Sequence, residues 1–184
     1  MCFLAVFSIT EWMTNWKRWI TPLGLALAAI VAMNGPQAAS VDSSLPTEAI
    51  VLKVFDGDTL LVESQEKRYK VRLLGIDTPE VDGPYTKAEP FGKAASQRTA
   101  QLALGRTVKL EYGGDSAWDR FGRLLAYVTL PDGTDLNRLL IQEGLAEAFH
   151  STQYTRKALY HQEQAKAKQA RRGIWSLPKK KRQG

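Results

Sequence analysis

From Glu48 onward the chain alternates short apolar runs with polar, glycine-bearing turns, the pattern of a β-rich domain with inserted helices. Ile50 to Phe55 is a run of β-branched and apolar residues, and Asp56-Gly57-Asp58 is a turn signal before a second run, Thr59 to Glu63. A polar turn over 64–67 leads to Tyr69–Ile76, a predicted third strand. Asp77-Thr78-Pro79-Glu80 stops it, because proline has no N–H to give a ladder. Residues 81–89, with Asp82, Gly83 and Pro84, read as a loop, and the alanine-rich stretch Phe91–Leu104 predicts a helix ended by Gly105. Val108–Tyr112 and Leu124–Leu130 predict a fourth and a fifth strand on either side of a polar loop from Gly113 to Arg120. After the turn Pro131-Asp132-Gly133, Asp135 can cap a helix whose Leu136, Leu139 and Leu140 share a face and which Gly144 terminates. A last helix is predicted from Thr155 to Arg172, closed by Gly173, with Ile174 and Trp175 docking back on the body. Five short strands with helices inserted and appended predict class α+β, a small closed β-barrel of OB type.

The residues before Glu48 follow a different pattern. Lys17 and Arg18 precede an apolar run from Trp19 to Met33, followed by Gly35, Pro36, Ala38, Ala39 and Ser40, the layout of a secretory signal peptide over 1–40. The run is 15 residues long and holds Pro22, short of the roughly 20 that span a bilayer. The expected location is therefore outside the cytoplasm, periplasmic or secreted, with an uncleaved N-terminal membrane anchor as the alternative. Met13 offers a second start, which would make 1–12 an upstream extension. Residues 41–47 read as a linker, 48–177 as the domain and 178–184 as a basic tail.

Composition narrows the chemistry. A chain of 184 residues, 44% hydrophobic, fits one globular domain with a short appendage and not a two-domain enzyme. The single cysteine, Cys2, falls in the leader, so no disulfide framework, Cys-ligated zinc or cysteine nucleophile is available to the mature domain. The two histidines, His150 and His161, are not spaced as a helical zinc pair. His150 reads as a surface loop residue and His161 as a structural or solvated position on the last helix. The formal charge of +6 is uneven: residues 41–153 carry a net −4 and residues 154–184 a net +9. A basic C-terminal segment suits an anionic partner, nucleic acid or acidic lipid, or else a solvated helix and a frayed tail.

Candidate chemistry lies in three segments: Asp56-Gly57-Asp58-Thr59, then Arg72 to Glu80, then Asp119-Arg120-Phe121-Gly122-Arg123. Each sets charged residues at the ends of apolar strands, where a barrel gathers them at one rim. Asp58, Asp77 and Glu80 offer hard oxygen donors, which suit Ca²⁺ or Mg²⁺ better than zinc. Arg72 and Arg123 beside them would clamp a phosphodiester whose charge grows during attack. Taken singly, each segment has a plain structural reading as a turn, a strand terminator or a surface ion pair. Together, in this order, they point to phosphoryl chemistry.

In these segments the chain resembles the staphylococcal nuclease (thermonuclease) family, over about residues 48–177. The resemblance implies a five-stranded OB barrel with three helices and a Ca²⁺-dependent endonuclease acting on DNA and RNA, leaving 3′-phosphate and 5′-hydroxyl ends. It implies Asp58 and Asp77 as metal-binding carboxylates and Thr78 as a ligand through its backbone carbonyl. Arg72 and Arg123 correspond to the catalytic arginines, and Glu80 to the carboxylate cast as general base. Asp56 corresponds to a carboxylate behind the metal ligands, and Arg120 and Phe121 to substrate-binding positions. Two departures stand out: Phe121 replaces a tyrosine in the nucleotide pocket, and His150-Ser151-Thr152-Gln153-Tyr154 lacks the tyrosine pair of the base site. The expectation is a monomer without a stable protein partner and without membrane contact once the leader is cleaved. The alternatives from other classes are a non-catalytic OB module that binds nucleic acid and a basic protein tethered to an anionic surface.

Overall fold

All five predicted barrel strands and all three predicted helices have a counterpart in a computed structural model that describes residues 44–83 and 87–178. The strands are β1 (Glu48–Val54), β2 (Thr59–Ser64), β3 (Lys67–Leu73), β4 (Ile76–Asp77), β5 (Thr107–Glu111), β6 (Leu124–Thr129) and β7 (Glu147–Ala148). The helices are α1 (Gly92–Ala103), α2 (Leu136–Gln142) and α3 (Lys157–Gln169), followed by a 3-10 turn at Gly173–Ser176. The leader and most of the predicted tail lie outside the described residues. Among those described, no helix is long and apolar enough to cross a membrane.

Five strands close a barrel in the order β1-β2-β3-β6-β5, with β5 pairing back on β1 and only the β3–β6 pair parallel. This is the predicted OB-type α+β barrel. Alternation sets its inside: Leu60, Val62, Val71, Leu73, Leu124 and Ala126 are buried. The last residues of the predicted linker already touch the barrel, since Thr47 C=O accepts from Leu110 N–H and Pro46 C=O from the Tyr112 hydroxyl.

The predicted single strand Tyr69–Ile76 is in fact two. Gly75 has φ +79°, and a Cβ there would lie 2.6 Å from the Tyr154 ring. The chain turns at that point, and Ile76-Asp77 leaves the barrel to pair with Glu147-Ala148 of β7, a strand too short for periodicity to announce. Asn137 stitches the break from beneath: its side-chain amide donates to the Leu74 and Ala126 carbonyls and accepts from Val128 N–H. The last helix is also shorter than its pattern. Thr155 N–H is committed to Gly113 C=O, which delays the start, and Arg171 at φ 51° ends it. Ile174 and Trp175 dock as expected, against Ala167 and Phe91.

Candidate active site

The turn between β1 and β2 is an Asx turn: Asp56 Oδ1 accepts from Asp58 N–H at 2.9 Å. Gly57 permits a close approach, since a Cβ there would lie 2.7 Å from Ala95 Cβ on α1 and 2.8 Å from Thr78 Cβ. Thr99 of α1 completes the clamp, its hydroxyl donating to Gly57 C=O at 2.7 Å. Asp58 is thereby driven inward and buried. Its Oδ2 accepts from Thr78 N–H at 2.8 Å and from the Thr78 hydroxyl at 3.0 Å, and its Oδ1 from the Thr59 hydroxyl at 3.2 Å.

Arg72 lies on β3 between the buried Val71 and Leu73, so its side chain leaves the core. Its guanidinium spans two carboxylates, Nη1 on Asp58 and Nη2 on Asp77 Oδ1 at 2.6 Å. The pair differs in setting: Asp77 is 59% exposed and Asp58 only 6% at the side chain. Burial pushes the Asp58 carboxyl well above the ordinary carboxylate range; Asp56 adds to that and Arg72 opposes it.

Glu80 follows β4 on the same rim. Its carboxyl is raised by burial first and then by Asp56 and Asp77, with Arg72 opposing. Its backbone is fixed on both sides: Glu80 N–H donates to Glu89 Oε2 at 3.0 Å, and Glu80 C=O accepts from Glu89 N–H at 2.9 Å. A Cβ on Gly92 would fall 2.1 Å from that carbonyl oxygen, so glycine is required where α1 begins. The local sequence pattern makes Glu89 a loop residue and Gly92 an ordinary helix position; only the three-dimensional return of the chain gives them a role.

Arg123 comes to the rim by another route. Asp119 accepts from Phe121 N–H at 2.8 Å, Arg123 N–H at 2.9 Å and Arg123 Nε at 2.7 Å, tying the loop to the guanidinium. Burial favours its neutral form, but the hydrogen bonds from Arg123 and Phe121 win and hold Asp119 below the usual range. The grip uses Nε, which leaves the terminal nitrogens for a phosphate. Arg72 and Arg123 line one cavity of about 470 Å³ with Arg120, Phe121 and Phe149. Phe121 is 67% exposed, under the Arg120 and Arg123 guanidinium groups at 4.8 and 5.4 Å from its ring centre. Phe149 is an aromatic wall of this cavity that no local motif marks, its only sequence signal being its place just before His150. The tyrosine of that segment, Tyr154, is instead buried against Gly75 and donates its hydroxyl to Phe149 C=O. His150 and His161, read separately from sequence, stack on each other with ring centres 4.5 Å apart.

The side chains gathered around Arg72 that could meet a metal are carboxylates, hard oxygen donors. Among the described residues there is no cluster of three or more His, Cys, Asp or Glu side chains that would cage a metal by themselves. Asp58 and Asp77 nevertheless converge on one positive charge, that of Arg72. Oxygen donors of this kind suit a hard divalent cation such as Ca²⁺ or Mg²⁺ better than a soft metal.

The family model for staphylococcal nuclease homologues matches residues 70–177. The thermonuclease of Staphylococcus hyicus is 35% identical over 170 residues, covering 87% of this chain and 99% of its own length. That of Staphylococcus intermedius is 36% identical over 158 residues, covering 82% and 93%. Endonuclease YncB of Bacillus subtilis (strain 168) is 34% identical over 126 residues, 67% of this chain and 59% of its own. With a barrel of this topology and both arginines on one cavity, the chain belongs to the staphylococcal nuclease family.

Proposed function

We propose that the protein is an exported Ca²⁺-dependent endonuclease that hydrolyses phosphodiesters of DNA and RNA, leaving 3′-phosphate and 5′-hydroxyl ends. Family membership makes it a hydrolytic nuclease; the metal, the ends, the double substrate range and the export are what the proposal adds. The observation that carries the reading is the Arg72 fork laid across Asp58 and Asp77 beside a cavity that Arg123 also lines.

Asp58, Asp77 and the Thr78 carbonyl would hold Ca²⁺, which when bound supplies Lewis acidity to a phosphate oxygen and a fixed point for the substrate. Few protein ligands imply an affinity on the order of 10⁻⁴–10⁻³ M, that of extracellular modules. Glu80, with its carboxyl raised, accepts a proton from the water that attacks phosphorus opposite the 5′-oxygen. As the bond to that oxygen breaks, Arg72 and Arg123 neutralise the charge that spreads over the phosphoryl oxygens, and the leaving 5′-oxygen takes a proton from solvent water to become the 5′-hydroxyl. Asp119 orients the Arg123 fork before substrate arrives and leaves its terminal nitrogens open, whereas Arg72 would exchange Asp58 and Asp77 for phosphate oxygens once the two carboxylates hold Ca²⁺. Asp56 fixes the turn that carries Asp58, and Arg120 and Phe121 present charge and a stacking face to the nucleotide.

The test is cleavage of supercoiled plasmid and of RNA by purified residues 41–184, with Ca²⁺ and with a chelator. The proposal expects cleavage with Ca²⁺, none with the chelator and no rescue by zinc. Binding of both polymers without cleavage under any metal would replace it with a non-catalytic OB module. For export, residues 1–40 fused to a reporter that works only outside the cytoplasm should give activity, and an inactive cytoplasmic fusion would remove that part.

A further inference from the structure

Beside Arg72, the outer face of β1–β3 carries an ordered array of residues that the chemistry described above does not use. Strand register sorts it into rows. Phe55 N–H bonds Thr59 C=O and Thr59 faces Arg72, which makes one row of Phe55, Thr59 and Arg72. Lys53 faces Leu61 and Leu61 faces Lys70, which makes the next, about 7 Å further along the strands. A third row holds Ile50, Glu63 and Arg68.

A β-bulge creates this face. Ala49 and Val51 point into the core, and simple alternation would send Lys53 and Phe55 after them. The register shift between Val51 and Lys53 inserts Leu52, so Val54 packs on the core and Lys53 turns outward, in line with Lys70 and with Phe55 one row on. The Lys53 and Lys70 ammonium groups lie 4.8 and 5.4 Å from the Phe55 ring centre. Arg68 is already paired with Glu63 at 3.0 Å, whereas among the described residues neither lysine forms an ion pair.

We propose that Phe55, Lys53 and Lys70 form a second substrate subsite, which takes the part of a single-stranded polynucleotide that runs on from the scissile phosphate at Arg72. The aromatic face receives a base or sugar and the two ammonium groups receive flanking phosphates, the combination that single-strand binding surfaces use. An acidic protein or a lipid headgroup would satisfy the lysines, but neither calls for an aromatic ring between them in line with a phosphate-binding arginine. The inference rests on the nuclease reading and deepens it: it predicts preference for long chains over dinucleotides.

The test compares wild type with the double variant Lys53→Gln/Lys70→Gln. Affinity for a fluorescent single-stranded oligonucleotide is measured over a range of salt in chelator, and kcat and KM are measured in Ca²⁺ on that oligonucleotide and on a dinucleotide. Losing two phosphate contacts should flatten the log–log salt slope by about 1.4 and raise KM for the long substrate, with dinucleotide cleavage and kcat unchanged. Phe55→Leu should weaken binding about fivefold or more, and Phe55→Trp should preserve it. Arg106→Gln/Lys109→Gln removes the same charge from the β5 side as a control. An equal effect of the control pair, or an unchanged salt slope and KM in the double variant, would overturn the subsite. Because binding is read in chelator, absence of cleavage by wild type would sink the nuclease reading while leaving the subsite result interpretable.

Discussion

Arg72 and Arg123 face one cavity, yet they are held there by different means. Arg72 belongs to the barrel: β3 pairs it with Thr59 on one side and Leu125 on the other, and its side chain is 15% exposed. Arg123 follows a loop organised by a single carboxylate, Asp119, next to Phe121, which stands in solvent. The first region fixes its arginine by barrel register and its carboxylates by the Asp56–Asp58 turn and the β4–β7 pair, all of them backbone-anchored. The second sets charge by side-chain hydrogen bonds, so it can vary in residue type and still present a cation and a stacking face. Chemistry should therefore be concentrated in the barrel cluster and recognition in the loop, with Arg123 as the point where the two meet.

Among the loop residues the largest effect should come from that meeting point. Arg123→Lys keeps the charge but loses the planar fork, and should lower kcat about 10²–10³-fold in steady-state assays. If only KM moved, Arg123 would belong wholly to recognition. Asp119→Asn should lower kcat about tenfold by loosening Arg123, through the loss of a charge-assisted hydrogen bond. A double-mutant cycle with Arg123→Lys should be strongly non-additive, and additive losses would show that Asp119 does not act through the arginine. Its pH signature follows from sign: the Asp119 carboxyl is lowered on folding, so it contributes stability above the ordinary value of 3.8 that is lost as pH falls. Asp119→Asn should remove that acid-side loss from a thermal melt series.

Glu80 should show the opposite sign. Its carboxyl is raised in the folded protein, so the charged form works against folding once pH exceeds the ordinary value of 4.5. Glu80→Gln should leave Tm at neutral pH unchanged or slightly higher while lowering kcat. A neutral-pH loss of stability in Glu80→Gln would indicate a structural carboxylate. The smallest effect belongs to the loop surface: Phe121→Leu should raise KM for polynucleotide roughly fivefold, the value of one stacked base, with kcat intact.

Much of this arrangement is readable from sequence, and the unreadable part has a common cause. The strands, the Asp56-Gly57-Asp58 turn and the arginines announce themselves through local pattern, because alternation and turn chemistry act over a few residues. Asp135 capping α2, with its carboxylate accepting from Arg138 N–H, is equally local. What escapes depends on chain segments far apart. The break at Gly75 exists because Tyr154 packs there, and β7 exists because Ile76-Asp77 needs a partner. Gly92 and Glu89 look like ordinary loop-to-helix residues until the Glu80 backbone is seen between them. The Val51–Lys53 bulge is hidden too, since alternation alone predicts Lys53 on the inner face.

The division between the barrel cluster and the loop is tested most directly by measuring the single-turnover cleavage rate and the polynucleotide affinity of Arg72→Lys side by side in Ca²⁺. The account predicts a rate reduced about 10²–10³-fold with affinity close to wild type, because the lost fork acts on charge that develops during attack. Equal losses of rate and affinity, or a wild-type rate, would contradict it.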